Sequence, residues 1–291
     1  MAKRLSTGAV DYISQEGGIT QALANGRIYF FAGTQPASAN DASGTSIANA
    51  LVPFTKASAA YTAETRATSV IDLTGITNAE TITSITVGGF EILGATVTYA
   101  TSAANTASLV ATQINAFKSY PDIKAVYTTG NTLTLTAPKN SGISFNNQTI
   151  VAAGTGVWNG SASHFTSNGV AGTATPNTWS SGNGRFGTGA GGSVLGVDAV
   201  NGLNFTFPNV SPGVAVKETA AWTGVATQTG TAGWFRFCGD GTDPNTTSTT
   251  AIRFDGSIGT SGADLIVSST AITSGATQTI NTFTINTLPN Q

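Results

Sequence analysis

The sequence predicts a mainly β protein: a discontinuous β-sandwich-like domain, residues 1–65 plus 194–291, with a small inserted α+β domain at 66–155. Three observations lead there. Short apolar runs separated by Gly, Pro, Asn and Asp occur at the start of the chain and again from Val194 onward, as strands joined by turns do. Between them lies the clearest helical pattern, flanked by alternating β-branched residues. The chain is also rich in Thr, Ser, Asn, Ala and Gly, yet only 9% charged, against about a quarter in an ordinary soluble domain.

Along the chain, 9–26 carries a short helical pattern (Val10, Ile13, Ile19, Leu23) broken by Gly17-Gly18, with Asn25-Gly26 as its stop. Ile28-Tyr29-Phe30-Phe31 reads as a buried strand ended by Gly33-Thr34-Gln35-Pro36, and a second strand spans 47–54. In the insertion, 82–87 alternates as a strand and Gly88-Gly89 forms a two-residue hairpin turn, since both positions tolerate positive φ. Residues 90–99 return as its partner. Ala107, Val110, Ile114 and Phe117 fall on one face of a helix over 105–118, with Asn105 as N-cap and Pro121 beyond its end. Strands at 123–128 and 132–137 follow. The stretch 156–193 is a Gly/Ser/Thr-rich connecting segment punctuated by Trp158, Phe165, Trp179 and Phe186, and a flexible linker has little use for such aromatics. Strands are expected at 203–207, 214–217, 234–237, 252–254, 265–267 and 279–288. Phe235 and Phe237 alternate with Trp234 and Arg236, the pattern of a half-buried strand.

Composition narrows the function. Twelve basic against fourteen acidic residues give a net charge of −2 and a pI near 5.3, which offers no basic patch for nucleic acid. No apolar run reaches a membrane span, and no apolar segment follows Lys3-Arg4 to make a signal peptide. Cys238 is the sole cysteine, so no intrachain disulfide forms and synthesis in a reducing bacterial cytoplasm is expected.

The motifs favour structure over chemistry. Gly182-Asn183-Gly184-Arg185-Phe186-Gly187 spells a dinucleotide fingerprint, but Ser180-Ser181 precedes it and more glycine follows, where a strand and a helix are required. His164 is the only imidazole, and no G-x-S-x-G elbow supplies it with a nucleophile. One His and one Cys cannot build an ordinary zinc site. Asp240-Gly241-Thr242-Asp243-Pro244 lacks the alternating ligands and terminal Glu of a calcium loop and reads as a turn. No Asp/Glu pair stands out for glycoside hydrolysis. No catalytic residue, cofactor or metal is expected.

Two stretches resemble a known family. Residues 26–37 (Gly-Arg-Ile-Tyr-Phe-Phe-Ala-Gly-Thr-Gln-Pro-Ala) are similar to the opening strand and turn of small β-rich virion proteins of tailed phages. Gly233-Trp234-Phe235-Arg236-Phe237, then residues 254–259, 262–265 and 283–285 resemble that family's closing half. In the family these pieces are contiguous; here 66–193 separates them. The insertion resembles another phage-virion module at 85–94, 113–116 and 133–137.

The resemblance implies a structural subunit of a tailed-phage virion: a capsid decoration (cement) or minor capsid protein on the capsid exterior, and no enzyme. Its expected partners are the major capsid protein and further copies of itself, a trimer being the natural arrangement at a symmetry axis, with no nucleic acid and no membrane. Trp158, Phe165, Trp179 and Phe186 are the expected interaction residues. A tail, collar or fibre component is the alternative within this class. A carbohydrate-binding adhesin stacking sugars on Trp158, Trp179 and Trp222 is the alternative outside it.

Overall fold

The computed structural model describes residues 3–45, 49–73, 76–78, 80–117, 122–146, 148–155, 184–185, 194–206, 214–239, 243 and 245–286. The chain is mainly β and divides into two units. Met1–Glu64 with Ala199–Gln291 forms a β-sandwich-like unit, and Thr65–Asp198 forms an α+β unit.

In the β unit a nine-stranded sheet runs in the order Arg4–Leu5, Arg253–Gly259, Gly230–Cys238, Arg27–Ala32, Val52–Lys56, Trp222–Val225, Thr277–Ile280. Leu265–Ile266 joins Arg253–Gly259 in parallel, and Ala271–Ile272 joins Gly230–Cys238. A three-stranded sheet (Phe205–Thr206, Val214–Lys217, Thr284–Asn286) contributes Phe205, Ala215 and Ile285, with Phe283 just before its last strand, to one core with Ile28, Phe30, Phe54, Trp222, Phe235, Phe237 and Phe254 of the large sheet. Most of the rings meet edge-on or tilted, with Phe205–Trp222 at 5.2 Å and Phe235–Phe283 at 5.3 Å, while Phe254 and Phe283 stack at 6.3 Å, geometries that ring quadrupoles favour.

The helices Thr7–Gln15 and Ile19–Ala22 close the N-terminal side of this core. Ser6 caps the first: its Oγ accepts the Ala9 N–H at 3.2 Å and the Arg253 N–H at 2.9 Å, so the cap also ties the helix to the sheet. The left-handed residue at the end of the second is Asn25, φ 56°. Gly26 is required for a different reason than stopping a helix: a Cβ there would lie 2.4 Å from the Phe237 ring.

Several expectations are corrected here. The Gly230–Cys238 strand is not half-buried; Trp234, Phe235, Arg236, Phe237 and Cys238 are all buried, because the second face is covered as well as the first. The strand expected at 279–288 is two strands, Thr277–Ile280 and Thr284–Asn286. Trp222–Val225 and Ala271–Ile272 are strands that the apolar pattern did not reveal.

In the α+β unit, Thr149–Thr155 and Thr81–Val87 form the centre of a five-stranded sheet, with Phe90–Glu91 at one edge. Thr68–Asp72, Thr132–Thr136 and Lys124–Tyr127 form a three-stranded one. The helix Ala103–Ala116 packs Ala107, Val110, Ala111 and Ile114 into the shared core with Ile82, Ile85, Ile92, Leu133 and Leu135. Its N-cap is Ser102, whose Oγ accepts the Asn105 N–H at 3.1 Å; Asn105 lies inside the helix. Gly88 and Gly89 take φ 58° and 86°, as the hairpin turn demands.

The return strand expected at 90–99 is interrupted. The Glu91 carboxylate folds back to accept the N–H groups of Ile85 at 3.1 Å and Leu93 at 2.7 Å. Gly94, at φ 73° and with no room for a Cβ beside Phe117, then turns the chain. Pairing resumes at Val97–Thr98 against Thr81–Ile82.

Candidate functional site

The central strands of the β unit alternate with period two, so residues opposite one another share a face. Arg27, Cys238 and Arg253 form one cross-strand row; Tyr29, Arg236 and Asp255 form the next; Phe31, Trp234 and Ser257 form the third. This face holds a polar cluster sealed from solvent, with Arg236, Arg253 and Asp255 fully buried.

Arg236 grips Asp255 with two parallel bonds, Nε to Oδ1 at 2.8 Å and Nη2 to Oδ2 at 2.7 Å. That bidentate fit holds the guanidinium charged against the cost of burial. Arg253 donates from Nη1 to the carbonyls of Asn40 at 3.0 Å and Asp41 at 3.2 Å, and from Nη2 to Thr246 O at 2.8 Å and to Asp243. Asp243 also accepts the Asn245 N–H at 2.8 Å. Arg253 therefore fastens the backbone at Asn40, Asp41 and Thr246, together with Asp243, over the sheet, while Arg236 ties its own strand to the neighbouring one.

The nucleophile-type groups on this face are shielded. Burial, reinforced by the Asp243 carboxylate 3.4 Å from its sulfur, pushes the Cys238 thiol well above its ordinary range. Burial likewise pushes the Tyr29 phenol up, with Arg27 stacked 4.9 Å from its ring as a smaller opposing influence. A thiol and a phenol held protonated are poor nucleophiles. The arrangement is suited to holding segments together.

The structure places the sequence-derived candidates as follows. Trp158, Phe165, Trp179, Phe186 and His164 lie outside the described residues. Gly184–Arg185, from the nucleotide-like run, is a strand paired with Thr149–Ile150, and no helix start follows it among the described residues. Asp243, from the Asp-rich turn, has its carboxylate taken by arginine and backbone. Trp222, offered as a sugar-stacking residue, is fully buried among Phe205, Phe237 and Phe283, so it presents no face to a ligand.

Arg236 with Asp255 and Arg253 with Asp243 were missed as partners. The available signal was an arginine in the middle of an aromatic strand and the alternation Arg253-Phe254-Asp255. Among the described residues no cluster of His, Cys, Asp and Glu could hold a metal ion, and no helix is long and apolar enough to cross a membrane. Comparison with protein-family models, curated proteins and solved structures returns no match.

Proposed function

We propose that this chain is a structural subunit of a tailed-phage particle, bound to the capsid exterior as a decoration or minor capsid protein. The observation that carries the reading is where the resembling segments meet. Residues 26–37, about two hundred positions before 233–237 and 254–259, join them as three adjacent strands: Arg27–Ala32 pairs with Gly230–Cys238, which pairs with Arg253–Gly259. The glycines of these segments have packing reasons. Gly233 sits where the register against Phe31 and Ala32 shifts by one, and a Cβ on Gly256 would lie 2.6 Å from the Phe235 ring opposite.

The closed polar cluster supports the same reading. Ionisable side chains, scarce in this sequence, are used to fasten loops to the sheet, as a stable scaffold needs. A subunit of this kind binds the assembled shell and stabilises it by mass action. Its partners on this reading are the major capsid protein and further copies of itself, in a trimer at a symmetry axis.

The test is co-sedimentation of the purified chain with bare shells assembled from a tailed-phage major capsid protein. Saturable binding that changes little across a salt series is expected, because few exposed charges are available to be screened. Absence of binding, or a steep loss with salt, overturns the reading.

A further inference from the structure

The outer edge of the nine-stranded sheet is built in two pieces. Arg4–Leu5 covers Phe254 and Asp255 of the neighbouring strand, and Leu265–Ile266 covers Ile258 and Gly259. A cleft of about 330 Å³ separates this edge from Thr284–Asn286, the outer strand of the three-stranded sheet. Lys3, Asp264, Ile266, Phe283, Thr284 and Asn286 line it.

Backbone direction in the two walls follows from the hydrogen bonds already made. Successive residues of a strand turn their N–H and C=O to opposite sides. The Val267 N–H donates to Gly259 O at 3.0 Å, so the amide and carbonyl of Ile266 turn outward. The Lys217 N–H donates to Phe283 O at 2.9 Å and Ile285 stands opposite Ala215, so Thr284 and Asn286 turn theirs outward too. Ile266, Thr284 and Asn286 are all exposed and all line the cleft. Both walls thus present backbone donors and acceptors, two of them spaced by the strand period.

The cleft's charge is one-sided. Asp264 is occupied, accepting the Ser257 N–H at 2.9 Å and the Ser257 hydroxyl at 2.8 Å. Lys3 is the cationic group on the lining.

We propose that this cleft accepts an extended segment of a partner polypeptide as an added strand, with a carboxylate of that segment at Lys3. A strand bonds left and right through alternate residues, which is the pattern the two walls offer; a compact ligand has no such period. The assignment of the segment to the shell protein rests on the proposed function; the strand-accepting cleft itself does not.

The experiment separates the two. The full isotope-labelled chain is titrated with the acetylated, amidated peptide Thr-Val-Asp-Val-Thr, and with the same peptide N-methylated at alternate positions. Saturable amide shifts at Ile266, Thr284 and Asn286 are expected, with hydrogen exchange at those amides slowed about tenfold at saturation. Lys3→Glu should weaken the peptide about threefold without touching the ladder. No protection by the peptide, equal effects from the N-methylated form, or protection confined to another edge such as Thr277–Ile280 overturns the cleft.

With shells, Asn286→Pro removes one outward N–H and should abolish binding. Wild type binding while Asn286→Pro and Lys3→Glu bind equally well refutes the shell protein as the strand's source. Failure of every form to bind shells counts against the proposed function, and the peptide titration still decides the cleft.

Discussion

Removing Asp255 is the sharpest test of the sealed polar cluster. In Asp255→Ala, Arg236 loses both of its short bonds while remaining fully buried. Its other carboxylate neighbour cannot take over: Asp243 lies 3.8 Å from Arg236 Nη1 and already serves Arg253, and 3.8 Å is beyond hydrogen-bond range. An uncompensated buried guanidinium costs about 3–5 kcal/mol. For a unit of roughly 150 residues, at about 2–4 °C per kcal/mol, the β unit's transition should fall by about 6–20 °C. Near-ultraviolet dichroism and fluorescence report it through buried Trp222 and Trp234. The double variant Arg236→Met, Asp255→Leu removes both charges and should recover most of the loss, since apolar replacement of a buried pair is often neutral or better. A loss below about 1 kcal/mol in the single variant, or a double variant no better than the single, would refute the argument that the pair is desolvated and mutually dependent.

Three further outcomes are expected. Burial raises the Glu80 carboxyl, against hydrogen bonding from Thr77, so the folded unit resists its ionisation and loses stability as pH rises through the folded-state value. Glu80→Gln should therefore stabilise the α+β unit at neutral pH and leave it little changed near pH 4, read as the difference from wild type in urea melts; the opposite sign disproves the assignment. Cys238 should resist a thiol reagent until the protein unfolds, because its thiol is buried and held protonated; prompt stoichiometric labelling of folded protein would contradict this. Gly26→Ala should destabilise the β unit by about 2 kcal/mol or more in chemical denaturation, since the new Cβ meets the Phe237 ring, Cys238 O and Leu23 O together. An unchanged midpoint would show that those neighbours yield.

A strand whose apolar residues are dense, such as Arg27–Ala32, was legible because burial of its side chains dominates its sequence. Trp222–Val225 was not: its Gly224 dilutes the pattern, and the glycine is there because a Cβ would lie 2.3 Å from Pro53 O on the neighbouring strand, a contact no local reading can supply. The interruption after Glu91 has the same origin, a side chain bonding backbone that the hairpin itself brings near. The polar cluster was hidden for a reason of register. Whether Arg236 faces Asp255 or Ser257 depends on a two-residue shift of register, which keeps every side chain on its face, and nothing local to either strand decides it. The aromatic stretch 156–193, proposed as the contact surface, falls almost wholly outside the described residues.

Lys124–Tyr127 is the outer strand of its sheet, and outer strands invite unwanted partners. Asn115, from the helix packed beside it, answers with a side-chain amide that mimics a neighbouring peptide group: Nδ2 donates to Ala125 O at 2.7 Å and Oδ1 accepts the Ala125 N–H at 2.9 Å. One residue of a helix thereby impersonates one residue of a strand. Exposed Val126 next to it would otherwise make this rim a nucleus for sheet-to-sheet clumping in a concentrated solution. The chain thus blunts one rim with a decoy, while among the described residues no strand covers Ile266 or Thr284–Asn286, and on the proposal above that contrast sets where a foreign strand docks and where it is turned away.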